Sequence, residues 1–121
     1  MIYPEPNQVC SILKSTKFRW TTERELQDGI QVTLTQYGIG FSREHILSET
    51  DRIDFLLFGG IGIEVKTRGA IVPLLAQLGR YSEHACISSL VVVTARIQLS
   101  RLPSTIGGKA IQVVSLLGGI L

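Results

Sequence analysis

Asp54 lies in the otherwise apolar run from Arg52 to Phe58, and Glu64 and Lys66 lie in a second such run after Gly59 and Gly60. Three charged groups thus fall where a sheet normally buries hydrocarbon, and an unpartnered charge is costly to bury. Two carboxylates that share a divalent cation, with an ammonium two residues further along the same strand face, would offset that cost and point to a metal site. Side chains alternate along a strand, so Asp54 and Glu64 share a face only if the numbers of paired residues sum to an even value. A two-residue turn at Gly59 and Gly60 would pair Phe58 with Ile61 and put the acids on opposite faces. The site therefore requires a three-residue loop with Gly60 or a neighbour in a left-handed conformation, or a bulge nearby.

The elements that must position these groups are marked along the chain. A short helix over 7 to 15 is expected, capped by Asn7, with Val9, Ile12 and Leu13 inward. Thr21 or Thr22 suits the cap of a second helix reaching Tyr37 and ended by Gly38, with Leu26, Ile30, Leu34 and Tyr37 at helical spacing. At roughly 100° per residue, Glu23 falls inside that apolar arc and Glu25 points away from it. Glu23 is thus the acid that faces the sheet, with helix capping as its alternative role. A strand over 39 to 46, a polar connection from Ser48 to Asp51 and the hairpin strands 52 to 58 and 61 to 67 follow. Pro73 fits the first turn of a helix reaching about His84, striped by Leu74, Leu75, Leu78 and Tyr81. The β-branched run 88 to 95 reads as a central strand covered on both faces. A loop near 103 to 108 and a last strand around 110 to 117 complete the order. The helix at 73 to 84 crosses over to set strand 88 to 95 beside the hairpin, which predicts an α/β fold with a mixed sheet flanked by helices.

The 121 residues, 45% hydrophobic and 18% charged, suit a single domain over 1–121, its core at about 20–117, with no sign of disorder. Apolar runs such as Leu90 to Val93 are far short of a bilayer span, and the first residues lack the basic and apolar regions of a signal peptide, so a cytoplasmic protein with no membrane partner is expected. A net charge of +2 does not announce nucleic-acid binding. Lys14, Lys17, Arg19 and Arg24 crowd the N-terminal quarter, either to contact phosphates or as a solvated face. Cys10 and Cys86 lack metal-ligand spacing and read as reduced, partly buried thiols. His45 and His84 have no spaced partner, and Thr105 to Ala110 lacks the glycine spacing and hydroxyl of a phosphate-binding loop.

Glu23 to Leu26 on the first long helix, Arg52 to Leu56, Ile63 to Lys66, and Gln77 to Tyr81 on the following helix together resemble the PD-(D/E)xK nuclease superfamily, with its restriction-endonuclease-like fold. The first three segments are similar to archaeal Holliday-junction resolvases, and Gln77 with Tyr81 looks like the motif of RecB-type nucleases. Ile53 stands where the family's name has proline. The resemblance implies a Mg²⁺-dependent deoxyribonuclease, with Mn²⁺ able to substitute, and a site made of Glu23, Asp54, Glu64 and Lys66. Asp54, Glu64 and the Val65 carbonyl would hold the metal, Glu23 would reach it directly or through water, and Lys66 would orient water or stabilise charge. Gln77 and Tyr81, one helical turn apart, with Arg24 and Arg68, would hold DNA, although a Tyr so spaced from Leu74 and Leu78 also suits a core. A homodimer is expected because two strands need two sites. The alternatives are a RecB-like exonuclease module and a nuclease-fold protein that binds DNA or protein without cutting.

Overall fold

A computed structural model describes residues 3–116, so Leu117, the expected end of the last strand and of the core, lies outside the described residues. Helices α1 (Pro6–Ser15) and α2 (Glu23–Gln36) precede strands β1 (Phe41–Ile46), β2 (Arg52–Leu57) and β3 (Ile61–Lys66). Helix α3 (Ile71–Ser82), β4 (Ser89–Thr94), a 3-10 turn (Ile97–Ser100), β5 (Thr105–Ile106) and β6 (Lys109–Ser115) follow. The six strands form one mixed sheet in the order β1-β2-β3-β4-β6-β5. The chain therefore has the expected α/β architecture, with α3 crossing over so that β4 runs parallel to β3. All six residues of β4 are buried, as its unbroken apolar run requires of a strand covered on both faces.

Each face of the sheet carries its own core. Leu13 of α1 and Leu26, Ile30 and Leu34 of α2 pack with Phe55, Ile63, Val65, Val91 and Val93 on one side. Leu74, Leu78 and Tyr81 of α3 pack with Ile53, Leu90, Val92 and Leu99 on the other.

Several local expectations change. Helix α1 starts one residue early, and its cap is Glu5, whose N–H donates to Gln8 Oε1 at 2.8 Å, so Asn7 lies inside the first turn. Cys10 is buried on the inward face of α1, where burial raises its thiol pKa, whereas Cys86 is exposed. Tyr37, expected on the inward stripe of α2, is 48% exposed because the helix has ended at Gln36. Buried Thr33 takes the inward position instead, donating its hydroxyl to the Gly29 carbonyl at 3.0 Å. The loop expected at 103 to 108 contains a short hairpin: Ile106 pairs with Lys109 across Gly107 and Gly108, both at positive φ.

The β2–β3 connection decides the site. Phe55 faces Ile63 and Leu56 faces Gly62, so the same register brings Leu57 to Ile61 and Asp54 to Glu64. Phe58, Gly59 and Gly60 are left as a three-residue loop closed by Gly60 N–H to Leu57 C=O at 3.0 Å, with both glycines beyond φ +100°. This is the turn that the shared-face argument demanded.

Gly59 and Gly60 have nearly the same φ, but their surroundings differ. A Cβ on Gly60 would lie 3.0 Å from the Cys86 carbonyl and 2.8 Å from Ser88 Oγ, whereas the nearest atoms to one on Gly59 belong to the Tyr3 side chain, at 3.3 Å and beyond. Gly60→Ala is expected to cost about 2 kcal/mol or more, and Gly59→Ala only about 1 kcal/mol from the backbone strain. Urea unfolding of both variants checks this, and equal losses would contradict the turn described.

Candidate metal centre

Regular pairing between β2 and β3 stops at Asp54. Ile53 packs on the α3 side, over Gly62, where a Cβ would lie 2.5 Å from Ile53 Cδ1. Phe55, two residues on, packs on the opposite side. Residues two apart in a regular strand share a face, so the chain rotates between them, at Asp54. The neighbouring strand is distorted at the same level: His45 pairs with Ile53 and Arg43 with Phe55, while Glu44 between them has φ +50°. The rotation turns Asp54 into the ladder, where its Oδ2 accepts the Val65 N–H at 2.8 Å. In an extended strand the N–H and C=O of one residue face the same neighbour, so the Val65 carbonyl faces this opening too.

Glu64 is 3% exposed, yet each of its polar contacts is long. Asp54 N–H and Tyr81 O–H both donate to Oε1 at 3.3 Å, and Lys66 Nζ lies 3.4 Å from Oε2. Charge-assisted hydrogen bonds are normally 2.5–2.9 Å, so this buried carboxylate is poorly compensated. Burial, and then the Asp54 charge, push its pKa up. Asp54 is raised as well, first by burial and then by the Glu23 and Glu44 carboxylates, against the opposing pull of the Val65 N–H and Lys66. The donor set is hard oxygen throughout, which suits Mg²⁺ or Mn²⁺.

The acids of α2 separate as the helical wheel predicted. Glu25 is exposed and closes a capping box; the Thr21 hydroxyl first, and then the N–H groups of Thr21 and Thr22 donating at 2.9 and 3.0 Å, pull its pKa down to about 2. Glu23 is half-buried and reaches β3, where its Oε1 accepts the Thr67 N–H at 2.9 Å and the Thr67 hydroxyl at 3.2 Å. The expected gathering of three acids is therefore met only in part. Among the described residues no three His, Cys, Asp or Glu side chains form a ready metal cage. With Glu23 engaged by Thr67, water-mediated contact is the form of its expected role that fits this arrangement.

Tyr81 is 1% exposed, behind Glu64 and not on a substrate surface. Its hydroxyl donates to the Arg52 carbonyl at 2.9 Å as well as to Glu64, and burial raises its pKa so that it stays a donor. Gln77 instead lines a cleft of about 330 Å³ with Lys66 and Arg68. Arg24 is exposed on α2.

Two features of the site were not anticipated. Glu44 adds negative charge beside Asp54, and its only sequence signal was membership of a strand that neighbours the hairpin. Buried Asp51 accepts from Arg80 Nε at 2.9 Å and lies 3.3 Å from His84 Nε2, tying the β1–β2 turn to α3. The Arg80 bond holds Asp51 below the usual carboxylate range. Nothing in the spacing of Asp51, Arg80 and His84 announces this cluster.

No protein-family model, curated protein or solved structure matches the chain.

Raised carboxylate pKa values mean that the folded, metal-free chain holds protons that the unfolded chain has released. Its stability should therefore fall as pH rises from about 5 into the neutral range. Asp51 and Glu25, with lowered pKa values, act in a different window: their contribution is present above about pH 4 and fades on further acidification. Thermal melts in chelator across this range should peak near pH 5, and Asp54→Asn should flatten the neutral limb and raise Tm at pH 7.5 by roughly 4 °C. A wild-type Tm that rises through neutrality would contradict the electrostatics described.

Proposed function

We propose that this chain is a metal-dependent deoxyribonuclease that hydrolyses DNA phosphodiester bonds, acting as a small endonuclease on branched or duplex DNA. The observation that carries the reading is the poorly compensated Glu64 carboxylate facing Asp54 in an opened ladder, with Lys66 beside it. Such an arrangement costs stability in the metal-free chain, and a bound divalent cation is the partner that would offset the cost. In this reading Asp54, Glu64 and the Val65 carbonyl hold Mg²⁺ or Mn²⁺, in keeping with the resemblance to PD-(D/E)xK nucleases. A cation bound there supplies Lewis-acid polarisation of a phosphoryl oxygen and a bound water of lowered pKa.

The protein's own groups do the rest. Lys66 stands beside the carboxylates, where it orients the attacking water and stabilises charge developing on the phosphate. Tyr81 fixes the rotamer of Glu64 from behind, and Glu23 holds the end of β3 through Thr67. Arg24 and Arg68 are exposed cations available to the phosphate backbone. Cutting both strands of a duplex or junction requires a second copy of the site, which a homodimer would supply. The end-directed, RecB-like reading is favoured by one observation, the position of Gln77 in the cleft beside Lys66.

Supercoiled plasmid incubated with the protein and Mg²⁺ or Mn²⁺ should be nicked or linearised, with EDTA stopping the reaction. Asp54→Asn and Lys66→Ala should each lower the rate by about 100-fold or more. Cleavage that persists in EDTA, or in Asp54→Asn, would sink the mechanism; intact plasmid with retained DNA binding would identify the non-cleaving alternative.

Metal binding has its own readout. A saturating excess of Mn²⁺, about 100 times its Kd, should stabilise the wild-type chain by about 2.7 kcal/mol. The same excess should leave the melting of Asp54→Asn nearly unchanged, and an equal shift in both proteins would place the metal elsewhere.

A further inference from the structure

The cleft beside Lys66 has a chemistry of its own. It lies between the end of β3, the first turns of α3 and the 3-10 turn; its polar lining is Lys66, Arg68, Gln77 and Arg80, and its apolar lining is the exposed Ala70 and Pro73 with the buried Leu74 and Leu99. No acid lines it. Arg68 is exposed and makes no ion pair among the described residues. Arg80 commits its Nε to Asp51 but keeps half of its side chain in solvent, leaving the other guanidinium donors for a ligand. Lys66 reaches Glu64 only at 3.4 Å. Helix α3 begins at the same cleft with no side-chain cap at Ala70, which adds to the positive field without defining a ligand.

Cations and exposed aliphatic side chains in one lining call for a ligand with an anionic end and a flat or apolar body. The volume of about 330 Å³ sits at the small end of ligand pockets and matches one nucleotide better than a duplex. We infer that this cleft binds a single nucleoside monophosphate unit, its phosphate among Lys66, Arg68 and Arg80 and its sugar and base against Ala70 and Pro73, with Gln77 hydrogen-bonding the unit. The inference deepens the nuclease reading and rests on it for the strand that supplies the nucleotide. Binding itself needs no metal.

The test is a titration of the full chain in EDTA with deoxyadenosine 5′-monophosphate, inorganic phosphate or deoxyadenosine, followed by calorimetry or amide chemical shifts. The nucleotide should bind at least about tenfold more tightly than phosphate or nucleoside alone, because each of those satisfies only one half of the cleft. Arg68→Ala should weaken it by about tenfold, and Arg68→Lys should recover part of the loss by restoring the charge without the fork. Arg68 is exposed, so both variants should fold, and their unaltered melting temperatures would confirm it. Equal affinity for phosphate and nucleotide, or an unchanged affinity in Arg68→Ala, would overturn the inference. A 5′-phosphorylated oligonucleotide that displaces the nucleotide better than its hydroxyl-ended twin identifies a strand end as the source, and equal displacement identifies an interior unit. Plasmid cleavage without nucleotide binding would remove this inference alone, whereas nucleotide binding without metal-dependent cleavage would uphold it and remove the nuclease reading.

Discussion

Everything at the site depends on the register between β2 and β3. A loop of three residues sets Phe55 against Ile63, and that pairing brings Asp54 and Glu64 to one level of the sheet. One residue fewer in the turn would send one carboxylate to the α1–α2 core and the other to the α3 core. The loop is held by Gly60, pressed against the Cys86 carbonyl at a φ that other residues rarely adopt. A backbone constraint at the loop tip thus governs the separation of two charges several residues away.

The second constraint is electrostatic. Asp54 is turned into the ladder to take the Val65 N–H, and Glu64 is buried with only long contacts. The fold carries this cost because much else fixes the strands there. Continuous apolar packing of β3 and β4 covers one flank, and α3 is tied down through Tyr81 to the Arg52 carbonyl and through Arg80 to Asp51. Opened pairing and poorly compensated charge in an otherwise well-packed sheet are the observations on which the proposed metal site rests.

Much of the fold was legible because its signals are local or periodic. A threonine cap for α2 at 21 or 22, the separation of Glu23 from Glu25, and the buried run of β4 follow from capping chemistry, helical angle and β-branched composition. The parity of Asp54 and Glu64 was legible for a subtler reason: strand alternation turns a chemical requirement into a statement about loop length. The same dipeptide at Gly107 and Gly108 makes a two-residue turn, in which Ile106 pairs directly with Lys109. Tyr37 misled because periodicity continues past the point where a helix stops; the C-cap carried it out to solvent.

By itself the sequence determined the order of elements, the crossover beside the hairpin, and which acids could face inward, since these depend on neighbours within a few residues or on a fixed repeat. Only the tertiary structure decided that Tyr81 stands behind Glu64 while Gln77 enters the cleft, that Glu44 joins the field at Asp54, and that Asp51 ties down α3. Those outcomes depend on how helices rotate on a twisted sheet and where a strand turns over, and such rotations are set by packing between elements far apart in the chain.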